Sequence, residues 1–326
     1  MIIPLLPEIR KILRESANIA ICCHIDPDGD AIGSLLGLGL ALTSQGLRVN
    51  MVSPDGVPPS FRFLPGADEV LTSLPPFKEP IVVVVLDCGD LDRLGSIAQQ
   101  VSLQLNVINI DHHPTNTNFG TINWIEPEAS ATAEMVFFLL RCLAIPITEE
   151  TATCLYTGIH TDTGGFRYQN TTARVHKVVG QLINTGVKPW RVSDRVYDTK
   201  PLSQIHLLQA ALERLQVTSD GRIAWIALPY HVMSSYKEDD TSGIINYPRM
   251  VAGTELAILL KEDEKGQVKV GFRSREQVDV GLLAQSLGGG GHARAAGCVI
   301  PGPLVAAEKQ VLTVAKRALK ELEVDG

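Results

Sequence analysis

One histidine and three aspartates lie within seven residues near the start of the chain, in the stretch CCHIDPDGDAIGS. They are His24, Asp26, Asp28 and Asp30. Imidazole nitrogens and carboxylate oxygens are ligands for divalent metal ions, and crowded carboxylates raise one another's pKa unless cations neutralise them. These four residues could therefore be part of a metal site to which other segments of the chain also contribute ligands.

Three further segments contain residues of the same types. They are IVVVVLDC, LNVINIDHH and TCLYTGIHTDTGGF, which contribute Asp87, Asp111, His112, His113 and Asp162. Taken singly, each residue has an ordinary structural explanation, since an aspartate such as Asp28 commonly caps a helix and an isolated histidine is usually packed or on the surface. Taken together, the crowded carboxylates indicate a metal site.

The mixture of ligands favours hard to borderline divalent ions. Many aspartate oxygens with two or three imidazoles favour Mn²⁺, with Mg²⁺, Fe²⁺, Co²⁺ and Zn²⁺ as alternatives. About six ligands are too many for one catalytic ion with open positions, whereas two ions about 3.5 to 4 Å apart, bridged by a carboxylate, would use them all. We therefore predict a site for two divalent metal ions.

The segments between these residues predict the elements that must position them. The first half alternates short β-branched runs with helical patterns, which is typical of an α/β domain with a parallel sheet and helices on both faces. The valine run before Asp87 predicts a fully buried central strand. Ligands of such sheets sit beyond the carboxyl ends of the strands, near the point where strand order reverses.

The second half of the chain has a different pattern. We predict strands at GRIAWIALP, TELAILLKED, GQVKVGFRS and AAGCVIPG, with helices at VDVGLLAQSLG and PLVAAEKQVLTVAKRALKELE. A length of 326 residues predicts two domains. The expected organisation is a parallel-sheet domain at 1–195, a helical linker at 196–215 and a smaller mixed-sheet α/β domain at 216–326, with the active site in the cleft between the domains.

Composition limits the classes of function. The formal charge of −7 argues against long duplex nucleic acid as a partner but leaves a short anionic substrate open. Six cysteines without CxxC spacing predict free thiols in a reducing compartment, so we expect a cytoplasmic protein. No apolar stretch reaches the roughly 18 residues that cross a bilayer, and MIIPLLPEIRKIL lacks the features of a signal peptide.

A second candidate site lies in the stretch GGGGHARAAG, from Gly288 to Gly297. It matches neither a Walker loop nor a dinucleotide-binding motif, and on composition alone it could be a flexible turn. Cationic side chains and backbone N–H donors in and before it suit a terminal phosphate or a base, so we predict a substrate clamp. The predicted substrate-binding residues are Arg273, Ser274, Gly289, Gly290, Gly291, His292 and Arg294, together with Tyr168 as a platform for a base.

The motifs HIDPDGDAIGS, VVVLDCGDLDRLG, INIDHHPTN and YTGIHTDTGGFRY resemble the four successive motifs of the DHH phosphoesterase superfamily. The later FRSREQVDVGLLAQSLGGGGHARAAGCVI resembles the signature of the DHH-associated C-terminal domain, so the resemblance extends over essentially the whole chain. It implies a metal-ligand set of His24 and Asp28 at one ion, Asp30, His112 and Asp162 at the other, and Asp87 between them. It also implies that Asp111 orients a ligating imidazole and that His113 faces the substrate phosphate.

Within the superfamily the chain is most similar to small two-domain bacterial enzymes that act on nanoRNA and on 3'-phosphoadenosine 5'-phosphate. The resemblance implies hydrolysis of short single-stranded RNA and of this nucleotide by a hydroxide that two metal ions activate. Cleavage of cyclic di-AMP or its linear product pApA, hydrolysis of pyrophosphate, and nucleotide sensing without turnover remain alternatives. Related enzymes are often dimers, which leaves a homodimer open.

Overall fold

The computed structural model describes residues 6–16, 18–76, 81–237, 241 and 243–324. The chain divides into two compact units, Met1–Thr199 and Lys200–Gly326. Each unit has its own β-sheet and its own hydrophobic core. The predicted architecture of two α/β domains is confirmed.

The first unit contains one parallel sheet. Its strands are β1 (Asn18–Cys22), β2 (Arg48–Val52), β3 (Val82–Leu86), β4 (Asn106–Asp111) and β5 (Ile122–Ile125). Their order is β2-β1-β3-β4-β5, and every neighbouring pair is parallel. Strand β3 is central and buried along its whole length, as its valine run predicts. Because β2 lies on one side of β1 and β3 on the other, strand order reverses between β1 and β3.

Helices cover both faces of this sheet. They are α1 (Leu6–Glu15), α2 (Gly29–Ser44), α3 (Ala98–Ser102), α4 (Thr132–Leu143), α5 (Glu149–Asp162), α6 (Ala173–Asn184) and α7 (Pro189–Ser193), with a 3-10 segment at Leu91–Ile97. Alternate strand residues face opposite cores. Val84 belongs to the core that includes α2, α4, α5 and α6, whereas Val83 belongs to the core that includes Val101 of α3.

The second unit contains a mixed six-stranded sheet. Its strands are β6 (Leu215–Val217), β7 (Ile223–Leu228), β8 (Leu256–Glu262), β9 (Gln267–Ser274), β10 (Gly290–His292) and β11 (Ala295–Pro301), in the order β10-β11-β9-β8-β7-β6. Only the β7 and β8 pair is parallel among these described strands. The helices are α8 (Leu202–Leu212), α9 (Tyr230–Met233), α10 (Asn246–Met250), α11 (Val280–Ser286) and α12 (Leu304–Val324).

The segment 196–215, which the sequence predicts as a helical linker, contains α8. Leu207 and Ala211 of this helix are buried in one cluster with Ile226 and Leu228 of β7. Helix α8 therefore packs as part of the second unit. The domain bounds drawn from the sequence remain predictions.

Two further observations concern the cysteines and the lengths of the apolar helices. The structure describes all six cysteines, and all are free. Cys22 and Cys23 are fully buried, and burial raises the pKa of both thiols far above the usual range, so they are core residues. Within the described ranges, no helix is both long enough and apolar enough to cross a membrane.

Candidate metal centre

The carboxyl ends of β1, β3 and β4 bring the predicted ligands together with Asp162 at the end of α5. Three overlapping groups have ligand atoms that all lie within 4.8 Å of one another. They are His24 with Asp28 and Asp87, Asp30 with His112 and Asp162, and Asp87 with His112 and His113. The site therefore lies where β1 and β3 are neighbours, at the reversal of strand order.

Asp87 is shared between two of these groups. It follows β3 with a left-handed backbone (φ 56°) and is buried. Its carboxylate oxygens lie 3.6 Å from His24 Nε2 and 3.5 Å from His112 Nε2. Burial alone would raise the pKa of Asp87, but the neighbouring imidazoles of His24, His112 and His113 hold it well below its usual range. An ionised carboxylate between two imidazoles is suited to bridge two cations.

His24 and His112 present the same nitrogen to the carboxylates. Nδ1 of His24 lies 2.6 Å from the carbonyl oxygen of Ile25, and Nδ1 of His112 lies 3.2 Å from that of Ala129. With its proton on Nδ1, each imidazole donates to its carbonyl and leaves the lone pair of Nε2 for a cation. Metal-ligating histidines are commonly oriented in this way.

Asp30 contacts the start of a second helix. Its two carboxylate oxygens accept hydrogen bonds from the backbone N–H groups of Thr132 at 2.6 Å and Ala133 at 2.9 Å, the first residues of α4. These two N–H groups have no partner within the helix, so Asp30 caps α4 from another element. Burial, with the charges of Asp87 and Asp162, raises the pKa of Asp30 well above its usual range.

Asp28 caps helix α2 and also belongs to the candidate metal-ligand group with His24 and Asp87. Its Oδ1 accepts hydrogen bonds from the N–H groups of Asp30 at 2.9 Å and Ala31 at 3.0 Å, so it is the N-cap of α2. The capping explanation is thus confirmed, and it leaves the second oxygen for another partner. Asp162 lies with Oδ2 at 3.6 Å from His112 Nε2, and burial raises its pKa to about 7.

The geometry fits divalent cations. Ligand atoms held about 2.1 Å from one ion lie about 3 to 4 Å from each other. Nε2 of His24 lies 3.6 Å from an oxygen of Asp87. Nε2 of His112 lies 3.5 to 3.9 Å from oxygens of Asp30, Asp87 and Asp162. Burial, together with neighbouring carboxylates, raises the pKa values of Asp30 and Asp162, and a bound cation would favour the ionised form of both.

Asp111 is fully buried and holds His113. Its Oδ1 accepts a hydrogen bond from His113 Nδ1 at 2.7 Å, and its Oδ2 accepts one from Asn116 Nδ2 at 2.6 Å. The imidazole that Asp111 contacts is the one expected at the substrate, and this residue, His113, also belongs to a group that could hold a metal ion, so the role of Asp111 in orienting a metal-ligating imidazole stays a prediction. Burial opposes protonation of His113, but Asp111 and Asp87 raise its pKa to about 9. Its side chain is 28% exposed.

Aromatic residues near Asp162 pack within the first unit. His160 is buried, lies with Nε2 at 3.1 Å from Ser193 Oγ, and has its ring centroid 5.4 Å from that of Tyr156 in a stacked arrangement. Phe166 packs against the same core. Tyr168 follows in the same turn and is 40% exposed, so a base could reach its ring.

The glycines of the predicted clamp have structural functions. Gly288 follows α11 with a left-handed backbone (φ 80°). Gly291 lies in β10 opposite Ala296 of β11, and a Cβ on Gly291 would lie 2.5 Å from the Ala296 Cα. The glycine run is therefore an ordered turn and strand in which the backbones approach closely. Gly289 is equally crowded, whereas a Cβ on Gly290 would meet no described atom within 4 Å.

The cationic residues of the predicted clamp differ in accessibility. Arg294 is exposed and donates to the Val278 carbonyl at 2.8 Å, whereas Arg273 is half-buried and donates to the Phe272 carbonyl at 2.9 Å. Ser274 is buried and its hydroxyl donates to the Ala293 carbonyl, which supports the loop. The side chain of His292 lies outside the described part of the structure.

Three residues that the sequence did not single out contact the site. Thr132 Oγ1 donates to Asp87 Oδ1 at 3.1 Å, Asn116 bonds Asp111, and a guanidinium nitrogen of Arg93 lies 3.1 Å from His24 Nδ1. Asn116 belongs to the motif INIDHHPTN and Arg93 to the motif VVVLDCGDLDRLG. Their position as polar residues within these motifs could have identified them as site residues. Thr132 belongs to none of the four motifs.

Comparison with known proteins identifies the family. Residues 18–159 match the N-terminal domain of the DHH family, and residues 227–321 match the DHHA1 domain. A relative from Thermus thermophilus, named bifunctional oligoribonuclease and PAP phosphatase NrnA, is 39% identical over 87% of this chain and 84% of its own length. The chain belongs to the DHH phosphoesterase family. DHH phosphoesterases are metal-dependent, and this member has acidic and histidine groups that fit metal ions.

Further relatives agree with this assignment. A Bacillus subtilis protein of the same name is 27% identical over 85% of this chain and 87% of its own length. The structure of an exopolyphosphatase-related protein from Bacteroides fragilis has a TM-score of 0.89 and 28% identity, covering 98% of this chain and 96% of that one. Thermus thermophilus RecJ in complex with Mn²⁺ has a TM-score of 0.57 and 14% identity over 97% of this chain and 55% of RecJ, which shows a shared fold alone.

Proposed function

We propose that this DHH phosphoesterase hydrolyses short oligoribonucleotides and dephosphorylates 3'-phosphoadenosine 5'-phosphate. The observation that carries the chemistry is the position of Asp87 between His24 and His112, where one ionised carboxylate joins two groups of ligands. The choice of substrates is supported by the relatives at 39% and 27% identity, whose names give these two activities.

The proposed cofactors are two divalent metal ions, with Mn²⁺ preferred for an oxygen-rich site that includes imidazoles. One ion would be held by His24 and Asp28 and the other by Asp30, His112 and Asp162, with Asp87 as the shared ligand. When bound, the ions would supply an activated water and take up charge on the phosphoryl oxygens. Thr132 and the start of α4 hold Asp87 and Asp30 in place for this purpose.

His113 is proposed to act on the substrate together with Asp111. A pKa of about 9 makes its ring an imidazolium at neutral pH, before any metal ion is added. Asp111 holds Nδ1 and so orients the ring, whose Nε2 N–H would donate to a phosphoryl oxygen or to the leaving group of a bound substrate. Asp87, Asp111 and His113 thus form the proposed catalytic set.

The two halves of the chain have different proposed tasks. Residues 1–195 would perform the chemistry, and residues 196–215 would form the helical linker. Residues 216–326 would form the substrate clamp, with Arg273, Arg294 and the glycine turn as donors to a phosphate.

We expect Arg273→Ala to raise the KM for dinucleotides without changing metal content. Arg214→Ala is a matched control, since Arg214 also donates to a backbone carbonyl. Loss of metal from Arg273→Ala alone would contradict the clamp.

The proposed partners are short single-stranded RNA and nucleotides in the cytoplasm. The net charge of −7 supports short anionic substrates held by a local site rather than long duplexes. Six free thiols support a reducing compartment.

The proposal is tested by product release at a fixed Mn²⁺ concentration from a panel of substrates. The panel contains 3'-phosphoadenosine 5'-phosphate, a ladder of di- to pentaribonucleotides, cyclic di-AMP, pApA and pyrophosphate. We expect turnover of the first two classes and its loss in Asp87→Asn. Faster cleavage of cyclic di-AMP would replace the proposal with second-messenger turnover, and inactivity on all substrates would favour a nucleotide sensor.

A further inference from the structure

Arg93 lies beside the metal centre on an element that is fixed to it. The residue is exposed, and one of its guanidinium nitrogens lies 3.1 Å from His24 Nδ1. Its backbone is held close by, because Ile25 N–H donates to the Arg93 carbonyl at 2.8 Å and Arg93 N–H donates to the Asp90 carbonyl at 3.1 Å. Gly95 packs so closely that a Cβ there would lie 2.5 Å from the Ile25 side chain. The closeness of Arg93 to His24 is therefore built into the fold.

Nδ1 of His24 cannot serve both of its neighbours at once. The Ile25 carbonyl, at 2.6 Å, can only accept a hydrogen bond, whereas the guanidinium of Arg93 can only donate one. A proton on Nδ1 satisfies Ile25, whereas a proton on Nε2 leaves Nδ1 as an acceptor for Arg93, whose same guanidinium nitrogen also lies 3.5 Å from the Ile25 carbonyl oxygen. A cation on Nε2 requires the proton to be on Nδ1. When His24 holds a metal ion, Arg93 therefore loses Nδ1 as an acceptor and keeps only the longer of these two contacts, with the Ile25 carbonyl.

We infer that Arg93 binds a non-bridging phosphoryl oxygen of the substrate once His24 holds a metal ion. The inference rests on the proposed phosphoesterase function and adds a substrate-binding residue to it. A guanidinium is always charged and presents a fork of donors that matches a phosphate group. A phosphate ester bound beside His24 would meet this guanidinium, which lies 3.1 Å from the His24 ring.

The test compares Arg93→Met and Arg93→Lys with Arg62→Met and the wild type. Arg62 is a suitable control because it is exposed and in the same unit, and it donates to the Val57 carbonyl at 3.3 Å. Calorimetry measures the binding of Mn²⁺ and then of inorganic phosphate to the Mn²⁺-loaded protein, and turnover of 3'-phosphoadenosine 5'-phosphate is measured separately. We expect Arg93→Met to bind Mn²⁺ normally but to lose about 10- to 100-fold in phosphate affinity and in kcat/KM. Arg93→Lys should retain part of both, and Arg62→Met should match the wild type.

Two results would overturn the inference. Arg93→Met with wild-type phosphate affinity and kcat/KM would show that the guanidinium does not touch the substrate. Loss of Mn²⁺ binding in this variant would show that Arg93 only positions His24. A wild-type protein without phosphoesterase turnover would refute the proposed function instead, and phosphate binding to the loaded protein would still decide whether Arg93 binds the anion.

Discussion

Asp87 and Asp162 belong to the same cluster of side chains, yet their surroundings shift the two pKa values in opposite directions. Three imidazoles keep Asp87 ionised, whereas burial and the charges of Asp28 and Asp87 raise the pKa of Asp162 to about 7. One carboxylate is thus ready for a cation, and the other must first lose a proton. At the scale of single residues, metal binding is therefore coupled to proton release.

We predict that the affinity for Mn²⁺ increases as the pH rises through about 7. Asp162 has a folded pKa above its unfolded value, so the metal-free protein gains stability from its protonated form at low pH and loses that contribution as the pH rises through 7. Bound metal requires the ionised form. Calorimetric titrations with Mn²⁺ in buffers of different ionisation enthalpy, on both sides of pH 7, will measure the protons released.

Asp162→Asn provides the control for this prediction. The amide cannot release a proton, so the variant should bind Mn²⁺ more weakly, with fewer protons released and a flatter dependence on pH. Identical proton release from the variant and the wild type would assign the protons to other residues, such as Asp30.

The sequence predicted which residue types form the site but not every partner of each. Asp111, His112 and His113 are consecutive, so spacing does not reveal which imidazole Asp111 contacts. The choice depends on the Ala129 carbonyl, which accepts from His112, and on Asn116, which holds the other oxygen of Asp111. Both partners come from outside the three residues, and their positions are known only after the chain has folded.

At the scale of elements, the distance between the ligands of α2 and α5 depends on two glycines. A Cβ on Gly33 of α2 would lie 2.6 Å from the Cys154 carbonyl oxygen of α5. A Cβ on Gly158 of α5 would lie 2.8 Å from Asp30 Oδ1 and 2.6 Å from the Ala133 Cβ. The two helices can approach closely only without these side chains. Their contact fixes Asp30, at the start of α2, relative to Asp162, at the end of α5.

We predict that Gly158→Ala separates these helices and weakens the metal site. The added methyl group is overpacked against the Ala133 side chain and the buried Asp30 carboxylate, which should lower the free energy of unfolding by about 1 to 3 kcal/mol. Mn²⁺ affinity should fall about tenfold or more, because Asp30 has to move. Chemical denaturation of the metal-free protein and Mn²⁺ calorimetry measure the two effects.

Gly180→Ala is a matched control in another helix of the same unit. A Cβ on Gly180 in α6 would meet no described atom within 4 Å. Alanine there should stabilise the helix by about 0.5 to 1 kcal/mol and leave Mn²⁺ binding unchanged. If both variants bound Mn²⁺ like the wild type, the close approach of α2 and α5 would not control the site.

The longer elements were predictable from sequence because their patterns persist over several residues. Strands β1, β2, β3, β4, β7, β8, β9 and β11 all follow runs that the sequence indicates, including NIAICCHI for β1 and RVNMVS for β2. Strands β5, β6 and β10 are only three or four residues long and were not predicted. The start of α4 is also a tertiary effect, since its N–H groups are capped by Asp30, about a hundred residues earlier in the chain.

At the scale of the whole molecule, all of the proposed metal ligands belong to the first unit. The match to the DHH family and the match to the DHHA1 domain fall in different units, and each unit has its own core. A ligand that binds only one of two separately cored units stabilises that unit directly. Metal binding and substrate clamping should therefore be separable by experiment.

We predict that Mn²⁺ slows amide hydrogen exchange in the first unit and not in the second. At a free concentration about 100-fold above Kd, Mn²⁺ should stabilise the unit that binds it by about 2.7 kcal/mol, so exchange that requires its unfolding slows about 100-fold. Hydrogen exchange with mass spectrometry should show this in β1, β3 and β4, while β8 and β9 exchange at the metal-free rate. The effect should be absent in Asp87→Asn. Equal slowing in both units would contradict a metal centre confined to the first, because the stabilisation would then have to extend to a core that contains none of the proposed ligands.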